Sequence, residues 1–242
     1  MINGGLLRDA VISAAHSISN KKKSVDELNV FPVPDGDTGT NMSMTITNSV
    51  AELENLSDDT DCSVVASTTA SALLRGARGN SGVILSLIFR GFAKGLAGKK
   101  EMGANELVES LEQGVSGAYT SVMKPTEGTI LTVARESAEK AREMLHSTND
   151  PIIIMEEVCK QAELSLNETP KLLPALAKAG VVDAGGQGWM FVLEGALSYL
   201  KSGNVVERQG EALETQTAPV KKKSQEAIKT EDIKFKYCTE FI

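Results

Sequence analysis

The chain has 242 residues, 41% of them hydrophobic and 24% charged, which is the balance of a soluble globular protein. Its formal net charge of -7 argues against a general nucleic-acid binder, and no apolar run approaches the ~20 residues that a membrane span needs. The three cysteines, at positions 62, 159 and 238, are odd in number and far apart, which favours free thiols over a disulfide framework. Because free thiols are typical of a reducing cytosol, we expect a cytoplasmic protein.

Apolar residues recur at helical spacing along residues 1–203, where no convincing strand is found. The pattern predicts eight or nine helices and therefore an all-α fold, either a bundle or a helical barrel. In chain order, the predicted helices cover about residues 6–20, 39–55, 64–74, 81–92, 105–122, 128–145, 150–162, 169–180 and 186–203.

Local signals mark several helix ends. Ser81 is a candidate N-cap of the fourth helix, because its hydroxyl can accept a hydrogen bond from a free backbone N–H. Pro151 and Pro170 each predict a helix start, since proline is tolerated in the first turn. The last two helices are predicted to end at Gly180 and Gly203.

The composition changes after Gly203. Residues 204–230 are polar and charged without an apolar period, which predicts a flexible linker. Residues 231–242 then alternate between apolar and polar side chains, as a strand does, although the chain offers no partner strand. We therefore predict that residues 231–242 begin a second, middle domain that is truncated in this chain.

The most informative segment runs from Asn29 to Asn41 and reads NVFPVPDGDTGTN. Asp35 and Asp37 flank a glycine, which lets the backbone turn tightly enough to aim both carboxylates at one point. Two oxygen ligands this close suit Mg²⁺, which takes one or two protein carboxylates together with waters and phosphates. Residues 38–41 then lead into a predicted helix, whose free N–H groups attract phosphate.

Electrostatics links the two carboxylates to the helix start. Asp35 and Asp37 would repel a polyphosphate unless a divalent cation lay between them. The plainer alternatives are a turn with an N-cap, or a calcium loop. A calcium loop is disfavoured because Ile46 stands where an EF-hand has its glutamate.

Three further glycine-rich segments open predicted helices: residues 76–82, 128–129 and 183–188. Each alone is typical of an ordinary helix–helix turn, but four such loops in one bundle can line one rim. The sequence contains neither a P-loop, nor a Rossmann glycine motif after a strand, nor the kinase H-R-D and D-F-G motifs. We interpret His16 and His146 as structural or solvated, which disfavours Ser-His-Asp chemistry.

Four motifs in this order resemble those of the nucleotide-binding L-subunit family of dihydroxyacetone kinase, and in particular the ATP-binding subunit of bacterial fatty acid kinase. The motifs are residues 29–41, 76–82 (GARGNSG), 124–129 (KPTEGT) and 182–186 (VDAGG), and the resemblance covers about residues 5–202. It implies an antiparallel eight-helix barrel that binds ATP or ADP and two Mg²⁺ ions at one rim.

The resemblance also implies roles for individual residues. Asp35 and Asp37 match the metal ligands, which are the catalytic carboxylates, and Asn29 takes the place of a third, aspartate ligand. The implied nucleotide-binding residues are Thr38, Gly39, Thr40 and Asn41 at the phosphates, Gly79, Asn80 and Ser81 at the phosphates or ribose, Thr129 near the nucleotide, and Asp183 and Gly185 at the rim.

We therefore predict the ATP–Mg²⁺-binding domain of a two-component kinase. Its acceptor is expected to be a fatty acid carboxylate, presented by a fatty-acid-binding partner subunit and converted to an acyl-phosphate. A homodimer would form through domains beyond this chain. Two alternatives stay open at this point: the nucleotide-binding subunit of a dihydroxyacetone (glycerone) kinase, and a nucleotide-binding regulatory module that transfers nothing.

Overall fold

The computed structural model describes residues 1–209; residues 210–242, with most of the predicted linker and the predicted strand, lie outside the described residues. Residues 1–209 form ten helices. They are α1 (Gly4–Asp26), α2 (Thr38–Thr47), α3 (Val50–Glu54), α4 (Cys62–Arg75), α5 (Gly79–Gly95), α6 (Ala104–Ser121), α7 (Ile130–Met144), α8 (Pro151–Leu172), α9 (Pro174–Ala179) and α10 (Ala184–Ser202).

The helices other than the short α3 and α9 close into a ring. Helix α1 packs against α2 and α10, α10 against α7 and α8, and α7 against α6 and α8. Helix α6 packs against α5, which in turn packs against α4 and α2. The predicted all-α fold is confirmed. Within residues 1–209, the only β-type pairing is one bridge between Ile2 and Met102.

The core of the ring is built from the apolar stripes that predicted the helices. Ile18, Met42, Leu85 and Ile154 come from four different helices and are fully buried. Trp189 of α10 is also buried, packing edge-on against the ring of Phe89. Met42 and Trp189 are therefore core residues.

Glycines allow some of these helices to approach closely. A Cβ on Gly91 of α5 would lie 2.1 Å from the carbonyl oxygen of Gln113 in α6. A Cβ on Gly195 of α10 would lie 2.7 Å from the Cα of Ala14 in α1. Because real Cβ contacts are never this short, a larger residue at either position would force the two helices apart.

The predicted helix start at Pro170 is wrong. Pro170 lies inside α8, and the short helix α9 begins instead at Pro174, with Gly180 after its last residue as predicted. Proline removes the N–H that would bond to the carbonyl of Leu166. The hydroxyl of Thr169 donates to that carbonyl instead, at 2.7 Å, so the helix continues through the proline.

The single helix predicted over residues 39–55 is divided into α2 and α3. At the break, the amide of Asn48 donates to the carbonyl of Ala72 in α4 at 2.6 Å, and the hydroxyl of Ser49 donates to a carbonyl of α2. Polar side chains of this kind compete with the helical backbone for its hydrogen bonds. The periodic apolar pattern continues across the break and does not reveal it.

Residues 204–209, at the start of the predicted linker, are held on α1. The carbonyl oxygen of Val206 accepts a hydrogen bond from Nδ1 of His16 at 2.8 Å. The backbone N–H of Gln209 donates to the amide oxygen of Asn20 at 2.9 Å. His16 therefore has the structural role that we expected. The linker and second-domain assignments for residues 210–242 stay predictions.

The membrane and cysteine features of the described residues follow from their burial and composition. No helix within residues 1–209 has the length and apolarity to cross a membrane. Cys62 and Cys159 are free and buried. Burial raises the pKa of the Cys62 thiol to about 11 and that of Cys159 to about 12. Both thiols are therefore protonated at neutral pH, which makes them poor nucleophiles and poor metal ligands.

Candidate functional site

Helices α2, α5, α7 and α10 all begin at one cleft of about 670 Å³, a volume typical of small-molecule sites. The loops before α2 and α7 complete its walls. The predicted site residues that line it are Asn29, Asp35, Asp37, Thr38, Asn41, Gly79, Asn80, Ser81, Thr129, Asp183 and Gly185. The other two predicted residues, Gly39 and Thr40, are not part of its lining.

The buried side chain of Asn29 holds the loop in front of α2. Its amide oxygen accepts hydrogen bonds from the backbone N–H of Asp37 (3.2 Å) and from both the N–H (3.3 Å) and the hydroxyl (2.9 Å) of Thr38. Its NH₂ group donates to the carbonyl of Val33 at 2.9 Å. Asn29 thus caps α2 and fixes the turn between the two aspartates. Its role as a metal ligand stays a prediction.

Asp35 and Asp37 line the cleft with their carboxylates open to solvent, Asp35 exposed and Asp37 half-buried. Among residues 1–209, no group of three or more His, Cys, Asp or Glu side chains is placed to hold a metal. A metal at the two aspartates would therefore need waters or ligand oxygens to complete its coordination. This donor set fits Mg²⁺, and it does not fit a structural zinc site with four protein ligands.

Gly39 and Thr40 fix the first turn of α2 on α1. A Cβ on Gly39 would lie 2.1 Å from the carbonyl oxygen of Lys22, so only glycine permits this approach. The N–H and the hydroxyl of Thr40 donate to the two carboxylate oxygens of Asp26, at 2.9 and 2.7 Å. Asp26 gives no signal in the sequence, because it acts on Thr40, a residue that the fold brings to it.

The start of α5 lies against α2. Gly79 has a φ of +57°, and a Cβ there would lie 2.5 Å from Nδ2 of Asn41. The prediction that Ser81 is the N-cap is wrong: α5 begins at Gly79, its N-cap is Arg78, and Ser81 lies in the first turn. The hydroxyl of Ser81 donates weakly to the carbonyl of Thr38, at 3.4 Å. The glycine-rich segment at residues 76–82 therefore brings the starts of α2 and α5 together.

Asp183 joins the starts of α7 and α10 at the floor of the cleft. It is the N-cap of α10, and its carboxylate accepts hydrogen bonds from the backbone N–H of Gly186 at 2.7 Å and from that of Ile130 in α7. The hydroxyl of Thr169 accepts from the N–H of Asp183 at 3.1 Å. Burial raises the pKa of Asp183 to about 6, although the two backbone hydrogen bonds lower it.

Thr129 is the N-cap of α7. Its hydroxyl accepts from the N–H of Leu131 at 3.4 Å and donates to the carbonyl of Thr126 at 2.7 Å. Gly128, with a φ of +80°, makes the turn into the helix. The helix start that the sequence predicted near Gly128 is therefore confirmed, and the cap links the helix to the loop that precedes it.

Several cleft residues were not assigned a site role from the sequence, although Phe31, Val33 and Lys124 lie within two of the four motifs. Apolar side chains at helical spacing are usually core residues, and an isolated lysine is usually solvated, so neither gives a local signal. Neither histidine lines the cleft. The additional lining residues include Phe31, Val33, Val83, Ile84, Leu87, Met123 and Lys124.

Comparison with known proteins identifies a matching family model and several relatives. Residues 32–198 match the family model of the DAK2 domain. YloV of Bacillus subtilis is 45% identical over 241 residues, which make up 99% of this chain and 43% of that protein. An uncharacterized protein of Staphylococcus haemolyticus is 47% identical over 242 residues, or 44% of its own length. The chain thus spans less than half the length of these relatives.

The fold is also similar to that of a solved structure. The crystal structure of the dihydroxyacetone kinase from C. freundii in complex with AMP-PNP and Mg²⁺ matches 80% of this chain and 33% of that one, with a TM-score of 0.59. The two sequences are 16% identical, so the similarity concerns the fold. It agrees with the helical ring described above.

Proposed function

The chain belongs to the DAK2-domain family, and from this premise we propose that its cleft binds ATP with Mg²⁺ and serves as the nucleotide half of a two-component kinase. One observation carries the proposal. Asp35 and Asp37, which fit a Mg²⁺ ion, lie in the same cleft as the first turns of four helices, which attract phosphate. The dihydroxyacetone kinase of similar fold, solved with AMP-PNP and Mg²⁺, supports this choice of ligands.

Asp35 and Asp37 would hold the metal, and we propose two Mg²⁺ ions with the phosphates as shared ligands. Bound Mg²⁺ supplies positive charge that offsets the charge developing on the transferred phosphoryl group. Asn29 contributes by fixing the turn that carries both aspartates, and we keep it as the weakest of the three proposed ligands. Its oxygen already accepts three hydrogen bonds.

The first turns of α2 and α5 are proposed to bind the phosphates, because their backbone N–H groups lie at the cleft and carry the positive ends of the helix dipoles. Thr38, Asn41, Asn80 and Ser81 supply polar side chains beside them. Gly39 and Thr40 act indirectly, since their contacts with α1 hold α2 in place. Apolar residues such as Ile84 offer a surface for the base.

We propose that the acceptor is a fatty acid carboxylate presented by a separate fatty-acid-binding protein. A carboxylate oxygen attacks the γ-phosphorus while the bond to the ADP oxygen breaks, and no proton has to be removed. An apolar cavity of about 80 Å³ inside the ring shares no lining residue with the cleft. The cavity is therefore not part of the cleft, which supports delivery of the acyl chain by a partner.

The proposal is tested by calorimetry with Asp37→Asn. We expect the Mg²⁺-dependent ATP affinity of this variant to fall by at least about tenfold, because one charged metal ligand is removed. Its circular dichroism spectrum should stay helical and unchanged. Asp59→Asn, an exposed residue outside the cleft, is the matched control and should bind as the wild type does. Equal affinity in Asp37→Asn and wild type would refute the metal assignment.

The acceptor is tested separately with labelled ATP. Acyl-phosphate formation with a fatty acid and its carrier protein would support the proposal. Phosphorylation of dihydroxyacetone would instead support the second candidate, which the similarity to a dihydroxyacetone kinase fold favours. ATP binding without transfer to any acceptor, measured with the full-length protein, would indicate a regulatory module.

A further inference from the structure

Lys124 stands out among the charged residues of the cleft. Of the lining residues that the structure describes, Asp35, Asp37 and Asp183 are acidic, and Lys124 alone is cationic. It is exposed, lies in the loop between α6 and α7, and makes no ion pair within residues 1–209. We propose that Lys124 binds the phosphate chain of the nucleotide, and that the loop anchored by Glu127 positions it for this role.

Charge balance supports a cation at this place. The inference rests on the proposed function, in which a triphosphate shares the cleft with two aspartates and two metal ions. The triphosphate and the aspartates together carry more negative charge than two Mg²⁺ ions offset. Helix N-termini contribute only partial charges, so a full positive charge on a mobile side chain adds a separate and stronger attraction.

The backbone of Lys124 is tied to the start of α7 by a series of hydrogen bonds. The hydroxyl of Thr126 donates to the carbonyl of Lys124 at 3.3 Å. The carbonyl of Thr126 in turn accepts from the hydroxyl of Thr129, the N-cap of α7, at 2.7 Å. The position of Lys124 is therefore set relative to a helix that begins at the cleft.

Glu127 anchors the same loop to α6 and α7. Its carboxylate accepts hydrogen bonds from the hydroxyl of Tyr119 (2.9 Å), the hydroxyl of Thr132 (2.6 Å) and Nη2 of Arg135 (3.1 Å). Burial raises the pKa of Glu127, but these three hydrogen bonds outweigh it and hold the pKa below its usual value. Glu127 does not line the cleft, so its role is positioning.

The first test uses Lys124→Met, which keeps the length of the side chain and removes its charge. Affinities for Mg²⁺–ATP and Mg²⁺–tripolyphosphate are measured by calorimetry. We expect both to fall about tenfold, because a hydrogen bond to a charged group is lost. Lys124→Arg should restore most of the affinity. Lys160→Met, on the exposed surface of α8 and outside the cleft, is the matched control.

Tripolyphosphate separates the proposed contact from an indirect effect. If Lys124→Met weakens ATP but not tripolyphosphate, Lys124 acts on the base or ribose and the proposal is wrong. If neither affinity changes while the wild type binds ATP, this proposal fails and the proposed function stands. If the wild-type chain binds neither ATP nor tripolyphosphate, both the role of Lys124 and the proposed function are overturned.

The second test addresses the positioning role of Glu127. Glu127→Gln keeps the shape of the side chain but removes its ion pair with Arg135. We expect a loss of about threefold in ATP affinity, and no further loss when the change is combined with Lys124→Met. A loss that is equally large in the Lys124→Met background would show that Glu127 acts independently of Lys124, and would overturn the positioning role.

Discussion

Asp183→Asn should change how the stability of this protein depends on pH. Asp183 is 5% exposed, and its carboxylate accepts two backbone hydrogen bonds at the starts of α7 and α10. Burial raises its pKa from 3.8 to about 6. Asparagine has a similar shape and does not titrate. The comparison of wild type with Asp183→Asn therefore isolates the effect of the buried charge.

The direction in which stability changes with pH follows from proton binding. Folded Asp183 holds its proton more tightly than the unfolded chain does, so its contribution to stability is complete below pH 3.8 and is lost as the pH rises through about 6. A shift of about two pKa units corresponds to about 3 kcal/mol over the whole range. Between pH 4 and pH 7, the part of the range that is easily measured, we expect about 2 kcal/mol.

The assay is urea unfolding of wild type, Asp183→Asn and the control Asp59→Asn at several pH values from 4 to 7. Other titrating groups cancel in the difference between wild type and variant. The free energy of unfolding of wild type, relative to Asp183→Asn, should fall by about 2 kcal/mol over this range. A difference that stays constant with pH would refute the conclusion that burial perturbs Asp183, whatever the fixed cost of losing the helix cap.

Two further predictions concern the first turns of α2 and α5. Asp26→Ala removes both hydrogen bonds to Thr40 and should lower the free energy of unfolding by about 1 kcal/mol, as measured by urea unfolding; an unchanged value would show that Asp26 does not hold α2. Gly79→Ala should weaken ATP binding because its Cβ would displace Asn41, whereas Gly98→Ala, with a similar positive φ and open space around it, should not. Equal ATP affinity in both alanine variants, measured by calorimetry, would contradict the proposed contact.

The sequence was sufficient for the helices because their signals are local. An apolar stripe at a period of 3.6 residues predicts which face is buried, whatever it is buried against. The starts of α7 and α10 were predicted to within about two residues from the glycines beside them, although the sequence did not identify Thr129 and Asp183 as their N-caps. The local signal was misleading at Pro170, which predicted a helix start but lies inside α8. There the hydroxyl of Thr169 compensates for the missing N–H of the proline.

Most of the predicted site residues line one cleft, because glycine-rich turns before helices are visible one at a time in the sequence. The function of each residue within the site was less predictable. Asn29 and Thr40 were assigned to ligands, yet in the structure Asn29 caps α2 and Thr40 bonds to Asp26. Polar side chains serve equally well as ligands or as hydrogen-bond partners, and only their neighbours distinguish the two.

The amino-acid sequence by itself determined the all-α class, most helix boundaries and the four segments that open helices at the cleft. The tertiary structure alone decided that these segments meet, that Asp26 and Thr169 support them, and that Lys124 shares the cleft with Asp35 and Asp37. The physical reason is that helix formation depends on neighbours within about one turn. Assembly of the cleft depends instead on contacts between residues far apart in the chain. Those contacts form only when the helices of the ring pack together.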